Sequence, residues 1–158
     1  MRVEYINPFV ESAYYVLKEV IAGIPLKRGE LYLKNASMKI MGVAAFVGLA
    51  GDVEGRVLFD MTKETALKVA GAMNGGETFK TLDDMAKATI TELANMITAQ
   101  AVSKLHDLGF KFDLTPPALF SGENMEIANT LQVEALIVPM ELTGIGTIEI
   151  NVVIRDRL

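Results

Sequence analysis

The sequence predicts an α+β fold in which helices pack on one antiparallel sheet. The predicted elements come in the order helix, strands, two helices, strands, without the single alternation of strand and helix that marks a parallel sheet. The segment GDVEG at 51–55 is a turn-rich link between two apolar runs and predicts an antiparallel hairpin. No linker or low-complexity segment divides the 158 residues, so we expect one domain over 1–158.

The first helix is predicted to begin at Pro8. Asn7 is a good N-cap residue, and proline is tolerated at the first helical position because its missing N–H would have no partner there. Apolar residues then recur at spacings of three and four to about Ile21. Gly23 and Pro25 are expected to end the helix.

Strand-like runs lie on both sides of the helical middle of the chain. Those before it are ELYLKN (30–35), MKIMGVAAFVGLAG (38–51) and GRVLFDM (55–61). Those after it are KFDL (111–114), TLQVEALIVPMEL (130–142) and GTIEINVVIRD (146–156), with TPPALFSGEN (115–124) predicted as a turn.

Two helices are predicted in the middle of the chain. Thr62 opens the shorter one, which Asn74 and the two glycines after it end. Thr81 and Asp84 form a capping-box pattern ahead of the longer helix, over about 82–108. A helical winding of about 100° per residue groups a buried stripe: Leu82, Ala86, Ile90, Leu93 and Ile97.

Composition excludes several classes of function. The net charge is −5 and the lysines and arginines are scattered, which argues against a nucleic-acid binder. With no cysteine and one histidine, the chain offers no Cys/His zinc site and no His-bearing catalytic triad, so we expect no metal ligands.

The same composition bears on compartment and assembly. Glu4 and Glu11 interrupt the apolar core that a signal peptide needs, and the longest uncharged run, 40–51, is too short to cross a bilayer. We therefore expect a cytoplasmic protein with no membrane insertion. Hydrophobic residues make up 51% of the chain, and this high fraction favours a homodimer that covers apolar surface.

The pattern Glu-x-x-Asn occurs at Glu4 and Asn7, at Glu92 and Asn95, and at Glu126 and Asn129. The first pair straddles the predicted helix start, where Asn7 serves as cap. The third lies in a turn or strand, in which residues three apart point to opposite faces. Only the second pair lies inside a long predicted helix, where a spacing of three makes neighbours on one face.

The helix face that carries Glu92 and Asn95 has small neighbours. Ala88 and Ala99 flank the pair, with Ser103 and His106 further along the same side. Small side chains would let another surface come close. The alternative is that alanine is present as the best helix former and Glu92 is an ordinary solvent-facing residue.

Asn95 calls for a reason beyond helix propensity, because asparagine is mildly unfavourable within a helix. A neutral amide cannot act as a base or nucleophile. It can both donate and accept hydrogen bonds, which suits it to hold a water molecule in a fixed orientation. The residues therefore indicate a docking site on a helix that positions a water.

At these residues the sequence resembles the CheX branch of the CheC/CheX/FliY family of chemotaxis phosphatases. The resemblance rests on segments in the family's order over most of the chain: GDVEGRVLF (51–59), ETALKVAGAMNGG (64–76), ELANM (92–96) and TPPALFSG (115–122).

The resemblance implies a CheC/CheX-like fold and a phosphorylated CheY-like receiver as substrate. It implies that Asn95 orients the attacking water beside the receiver's phospho-aspartate, that Glu92 pairs with a receiver lysine, and that the receiver supplies Mg²⁺. It also implies a homodimer with one site per subunit, because Tyr14 stands where a second asparagine would be needed.

The family motif commonly begins with Ser or Asp four residues before the glutamate, and here that position is Ala88. This departure favours the rival interpretation, a non-catalytic dimeric adaptor that docks a receiver or a flagellar switch component.

Overall fold

A computed structural model describes residues 3–34, 37–128 and 133–157 of the chain. The helices are α1 (Val3–Val20), α2 (Lys63–Met73) and α3 (Asp84–Asp107). The strands are β1 (Leu26–Arg28), β2 (Tyr32–Lys34), β3 (Met38–Lys39), β4 (Val43–Gly51), β5 (Val53–Met61), β6 (Phe112–Leu114), β7 (Ala118–Ser121), β8 (Glu126–Ile127), β9 (Ala135–Leu142) and β10 (Gly146–Asp156). The fold is α+β, as predicted.

The main sheet is antiparallel and runs in the order β1, β9, β10, β5, β4, β6. The predicted hairpin is present, since β4 and β5 pair from Val43 with Met61 to Leu49 with Gly55. Strand β2 also pairs with β9, strand β7 also pairs with β4, and β3 with β8 forms a separate two-stranded sheet. The long strands β4, β5, β9 and β10 thus form a wide platform for the helices.

The main hydrophobic core lies between the helices and one face of this platform. Alternate residues of β5 and β10 point into it, among them Phe59 and Ile150. Helix α1 contributes Phe9 and Leu17, and α3 contributes its buried stripe. Helix α3 therefore lies between the sheet and solvent, with one side fixed in the core and the other free.

The opposite face of the sheet buries polar residues. Asp60 is 0% exposed, its Oδ1 accepts a hydrogen bond from the Met41 N–H at 3.0 Å, and its Oδ2 has no hydrogen-bond partner among the described residues. The pKa of Asp60 is raised to about 6, mainly by burial and also by the negative charge of Glu149, its cross-strand neighbour on β10. On the same face, Asn151 accepts a hydrogen bond from Arg56 at 2.9 Å.

The prediction that the first helix starts at Pro8 is wrong. Helix α1 begins at Val3 and contains Pro8, so Asn7 is helical and is not a cap. Proline at this position removes the backbone hydrogen bond to the Glu4 carbonyl oxygen and is unfavourable, so the helical start needs compensation from packing. Tyr5 and Phe9 are 1% and 0% exposed on either side of it, and their burial fixes the extra helical turn against the core.

Three other boundaries differ from the predictions. Asp83, rather than Thr81, caps α3, and Leu82 lies half-buried ahead of the helix. The predicted strand 38–51 is divided into β3 and β4, and Gly42, with a φ of 148°, lies in the break between them. The predicted turn 115–124 contains β7, because its residues complete the edge of β4.

Two remaining segments lie partly outside the described residues: the predicted strand 130–142, of which β9 forms the described part, and the third Glu-x-x-Asn pair, whose Asn129 is not described. None of the described helices is long and apolar enough to cross a membrane.

Candidate functional site

The candidate site lies on α3, which is fixed at its start and along one side. The Asp83 carboxylate accepts a hydrogen bond from the Ala86 N–H at 2.8 Å and so caps the helix. Ala86, Ile90, Leu93 and Ile97 are buried, as the helical winding predicts. Helices α1 and α2 pack on α3 and the sheet packs beneath it, which makes the outer side of α3 a firm surface.

The sequence-predicted site residues meet on this outer side. Glu92, Ala88 and Ala99 are exposed, and Asn95 is half-buried. Spacings of three and four place all four on one helical face. The structure thus gives the pair the setting that the sequence predicts: a carboxylate and an amide between two alanines.

The functional groups of Asn95 and Glu92 are uncommitted within the described residues. Neither side chain makes a hydrogen bond or ion pair there. The amide atoms of Asn95 are not among the buried side-chain atoms that lack a partner, so they remain accessible from solvent. Asn95 is therefore positioned but free to bind a water or a partner group.

Thr91 belongs to the same surface and was not singled out from the sequence. It is half-buried one helical turn before Asn95, and its hydroxyl donates to the Lys87 carbonyl oxygen. The hydroxyl is thus committed to the helix backbone. The spacing of four to Asn95 was the only sequence signal that could have pointed to it.

The first Glu-x-x-Asn pair also lies within a helix, because Asn7 is helical and is not a cap. Glu4 and Asn7 are exposed neighbours on α1, in the same helical relation as the α3 pair. Their surroundings differ, however. They line a groove of about 680 Å³ with Pro8 and Glu11 on α1, with Lys104 and Asp107 on α3, and with Leu108 directly after α3.

Long charged side chains cross that groove. Lys104 Nζ lies 3.2 Å from the Glu11 carboxylate, so the groove is bridged beside the pair. On the α3 face, the residues that flank Glu92 and Asn95 are the short side chains of Ala88 and Ala99. Close approach of a folded partner therefore favours Glu92 and Asn95 over Glu4 and Asn7.

Asp60 is the other residue whose chemistry could indicate an active site, because its pKa is raised to about 6. It lies on the sheet face away from the helices and is 0% exposed, so no substrate reaches it. Among the described residues, no group of three or more His, Asp or Glu side chains is arranged to hold a metal ion. The α3 face remains the candidate site.

Comparison with known proteins identifies the family of the chain. Residues 43–141 match the family model described as chemotaxis phosphatase CheX. The chain belongs to the CheX family. The matched segment includes all of α2 and α3, so the family relationship covers the whole candidate face.

Three relatives illustrate the similarity to CheX proteins. The CheY-P phosphatase CheX of Thermotoga maritima is 33% identical over 127 residues, which cover 80% of this chain and 81% of that protein. The CheX–CheY–BeF₃–Mg²⁺ complex from Borrelia burgdorferi contains a chain that is 44% identical, with a TM-score of 0.86 and coverage of 98% of this chain and 100% of that one. A CheC-like superfamily protein from Shewanella sp. PV-4 is 30% identical, with a TM-score of 0.86 and coverage of 98% and 99%.

Proposed function

We propose that this protein is a phosphatase that hydrolyses the aspartyl phosphate of a CheY-like receiver, and that the exposed face of α3 makes the contact. Its family is that of a chemotaxis phosphatase. Its T. maritima relative is named a CheY-P phosphatase, and the B. burgdorferi structure holds CheX with CheY, BeF₃ and Mg²⁺. In such a complex beryllofluoride stands in for the phosphoryl group of the receiver.

The reaction asks little covalent chemistry of this chain. Water attacks phosphorus, the bond to the aspartyl oxygen breaks, and the products are a free aspartate and inorganic phosphate. Catalysis is then mainly the positioning of the water and the stabilisation of charge. A residue that aligns the water is enough to give a large acceleration.

Asn95 is the residue that would align the water. Its amide is half-buried, lies on the exposed face of α3 and is free of hydrogen bonds within the described residues. The amide oxygen accepts from the water and the amide nitrogen donates, so a bound water is fixed with its lone pair directed at phosphorus. This uncommitted amide between two alanines is the observation on which the proposal rests.

Glu92 would hold the receiver in place. Its carboxylate is exposed and unpaired within the described residues, one helical turn from Asn95. We assign it an ion pair with a lysine of the receiver. The ion pair acts on affinity and orientation, while Asn95 acts on the chemical step.

Mg²⁺ belongs to the receiver in this proposal. When bound there, the ion neutralises charge on the phosphoryl oxygens. The described part of this chain supplies no cluster of ligands for it. The division of labour leaves this chain with docking and water alignment alone.

The rival function is an adaptor that docks the receiver without hydrolysis, and Ala88 is the feature that favours it. The experiment is to mix the protein with a phosphorylated receiver and Mg²⁺ and to follow phosphate release against the receiver alone. We expect faster release that scales with the amount of protein. Binding of the receiver with release at the receiver's own rate would establish the adaptor.

A homodimer is the second part of the proposal. Tyr32 and Leu33 are 44% and 55% exposed on the edge strand β2, and a second subunit could cover them. Sedimentation equilibrium should give twice 17.2 kDa. A monomer at micromolar concentration would contradict this part alone.

A cytoplasmic location also belongs to the proposal, because that is where we expect the receiver.

A further inference from the structure

A cleft of about 790 Å³ opens beside the first turn of α3. Four chain segments form its walls: the stretch around Gly42 between β3 and β4, the start of α2 at Lys63, the start of α3 from Thr81 to Lys87, and the turn 121–124 after β7. One wall of the cleft is therefore the start of α3, the helix that carries Glu92 and Asn95.

Lysines outnumber acidic residues among the described residues that line the cleft, while Asp83 and Asp84 belong to the same stretch of chain but do not line it. Lys63 and Lys87 both line it and are exposed, and neither makes an ion pair within the described residues. Glu123 is the only acidic residue among its lining residues. Elsewhere on the surface, Lys68 and Lys104 lie 3.3 and 3.2 Å from glutamate carboxylates. The two cleft lysines are therefore available to an anionic group from outside.

The position of Lys87 joins the cleft to the proposed docking face. Lys87 precedes Ala88 directly and lies eight residues before Asn95. At a helical rise of 1.5 Å per residue, the two Cα atoms are about 12 Å apart along the axis. A receiver bound with its phospho-aspartate at Asn95 would extend over the mouth of the cleft.

We propose that the cleft between Lys63 and Lys87 is a second docking point, which takes up a carboxylate-bearing loop of the same receiver. The proposal rests on the function proposed above. Mg²⁺ in proteins is usually bound through one or two carboxylates together with phosphate oxygens and waters, so we expect a receiver that holds Mg²⁺ beside its aspartyl phosphate to carry acidic residues on the loops there. The two lysines and Glu92, which lies between Lys87 and Asn95 along the chain, would recognise a surface with both signs of charge and fix its orientation.

The test is charge reversal of each lysine, measured as affinity for the beryllofluoride-activated receiver. We expect Lys63→Glu and Lys87→Glu each to weaken binding about 5- to 10-fold at low salt, with a smaller effect at high salt. Turnover at saturating receiver should not change, because neither lysine touches the water. Glu123→Gln removes the opposing charge and should strengthen binding about twofold.

These variants should keep the fold. Lys63 and Lys87 lie in the first turns of α2 and α3, where a carboxylate interacts favourably with the helix dipole. Lys111→Glu is the matched control: it makes the same change in net charge at an exposed position beyond the other end of α3. It should alter affinity less than twofold, and an equal effect in all three variants would reduce the proposal to general electrostatics and overturn it.

A small anion is the alternative occupant, and titration with inorganic phosphate distinguishes it. If the reversals abolish phosphate binding but leave receiver affinity unchanged, the cleft is a free anion site and the docking proposal is wrong. The outcome is also separable from the proposed function. Weaker binding by the lysine variants together with full turnover by Asn95→Ala would retain the docking point and reject the water-positioning role.

Discussion

Glu92 and Asn95 are neighbours on α3, yet their surroundings suit them to different tasks. Glu92 is exposed, so its charge acts at the surface and is screened by dissolved salt. Asn95 is half-buried as a residue and has no hydrogen-bond partner within the described residues, so its amide is uncommitted but less exposed to solvent than the Glu92 side chain. Replacement of the two residues should therefore affect different steps.

Glu92→Lys should weaken receiver binding by about tenfold or more, because attraction to a receiver lysine becomes repulsion. Turnover at saturating receiver should remain close to that of the wild type. Receiver titration beside single-turnover kinetics measures both. Glu77→Lys, which makes the same change of charge at an exposed position after α2, is the control. Unchanged affinity of the Glu92→Lys variant would show that the Glu92 carboxylate does not contact the receiver.

Residue spacing predicted the α3 face correctly but misjudged the α1 pair. The winding of the long helix was enough to place Glu92, Ala88 and Ala99 outside the core. The Asn-Pro signal, by contrast, describes only local chain energetics. It contains no information on tertiary packing, and in the structure the burial of Tyr5 near the start of α1 outweighs the cost of an internal proline.

At the scale of elements, patterns that depend on neighbours in sequence were predictable. The β4–β5 hairpin follows from the glycines of 51–55, and β10 has the predicted bounds of 146–156. Elements that depend on distant partners were not. Strand β7 follows two prolines and exists because residues 118–121 complete the edge of β4.

The cap of α3 offers a test of the corrected boundary. Asp83→Ala should lower the free energy of unfolding by about 1 kcal/mol, because the Ala86 N–H loses its acceptor. Thr81→Ala removes the sequence-predicted cap and should have little effect. Urea unfolding of both variants at equal slopes measures the difference. A larger loss of unfolding free energy in Thr81→Ala than in Asp83→Ala would show that Thr81 is the cap, as the sequence predicts.

The whole molecule responds to pH through Asp60. Its pKa rises from 3.8 to about 6 on folding, mainly because burial disfavours the charge. The folded state therefore binds more protons than the unfolded state between these pH values. By linkage, the contribution of Asp60 to stability falls as pH rises through this window and is constant above it.

Asp60→Asn should therefore be more stable than the wild type near neutral pH, by about 2 kcal/mol. The amide keeps an oxygen to accept from the Met41 N–H and cannot ionise. The advantage should shrink toward zero below pH 4. Unfolding of both proteins across this range measures it, with the exposed Asp113→Asn as control. A constant difference at all pH values would refute the linkage.

The central claim is that an uncommitted amide on α3 aligns the attacking water, and Asn95→Ala tests it most directly. The measurement is single-turnover dephosphorylation of the receiver beside affinity for its beryllofluoride-activated form. The claim predicts that the variant folds, binds within about twofold of the wild type, and loses most of its rate acceleration. Full turnover by Asn95→Ala would contradict it and leave the protein as an adaptor.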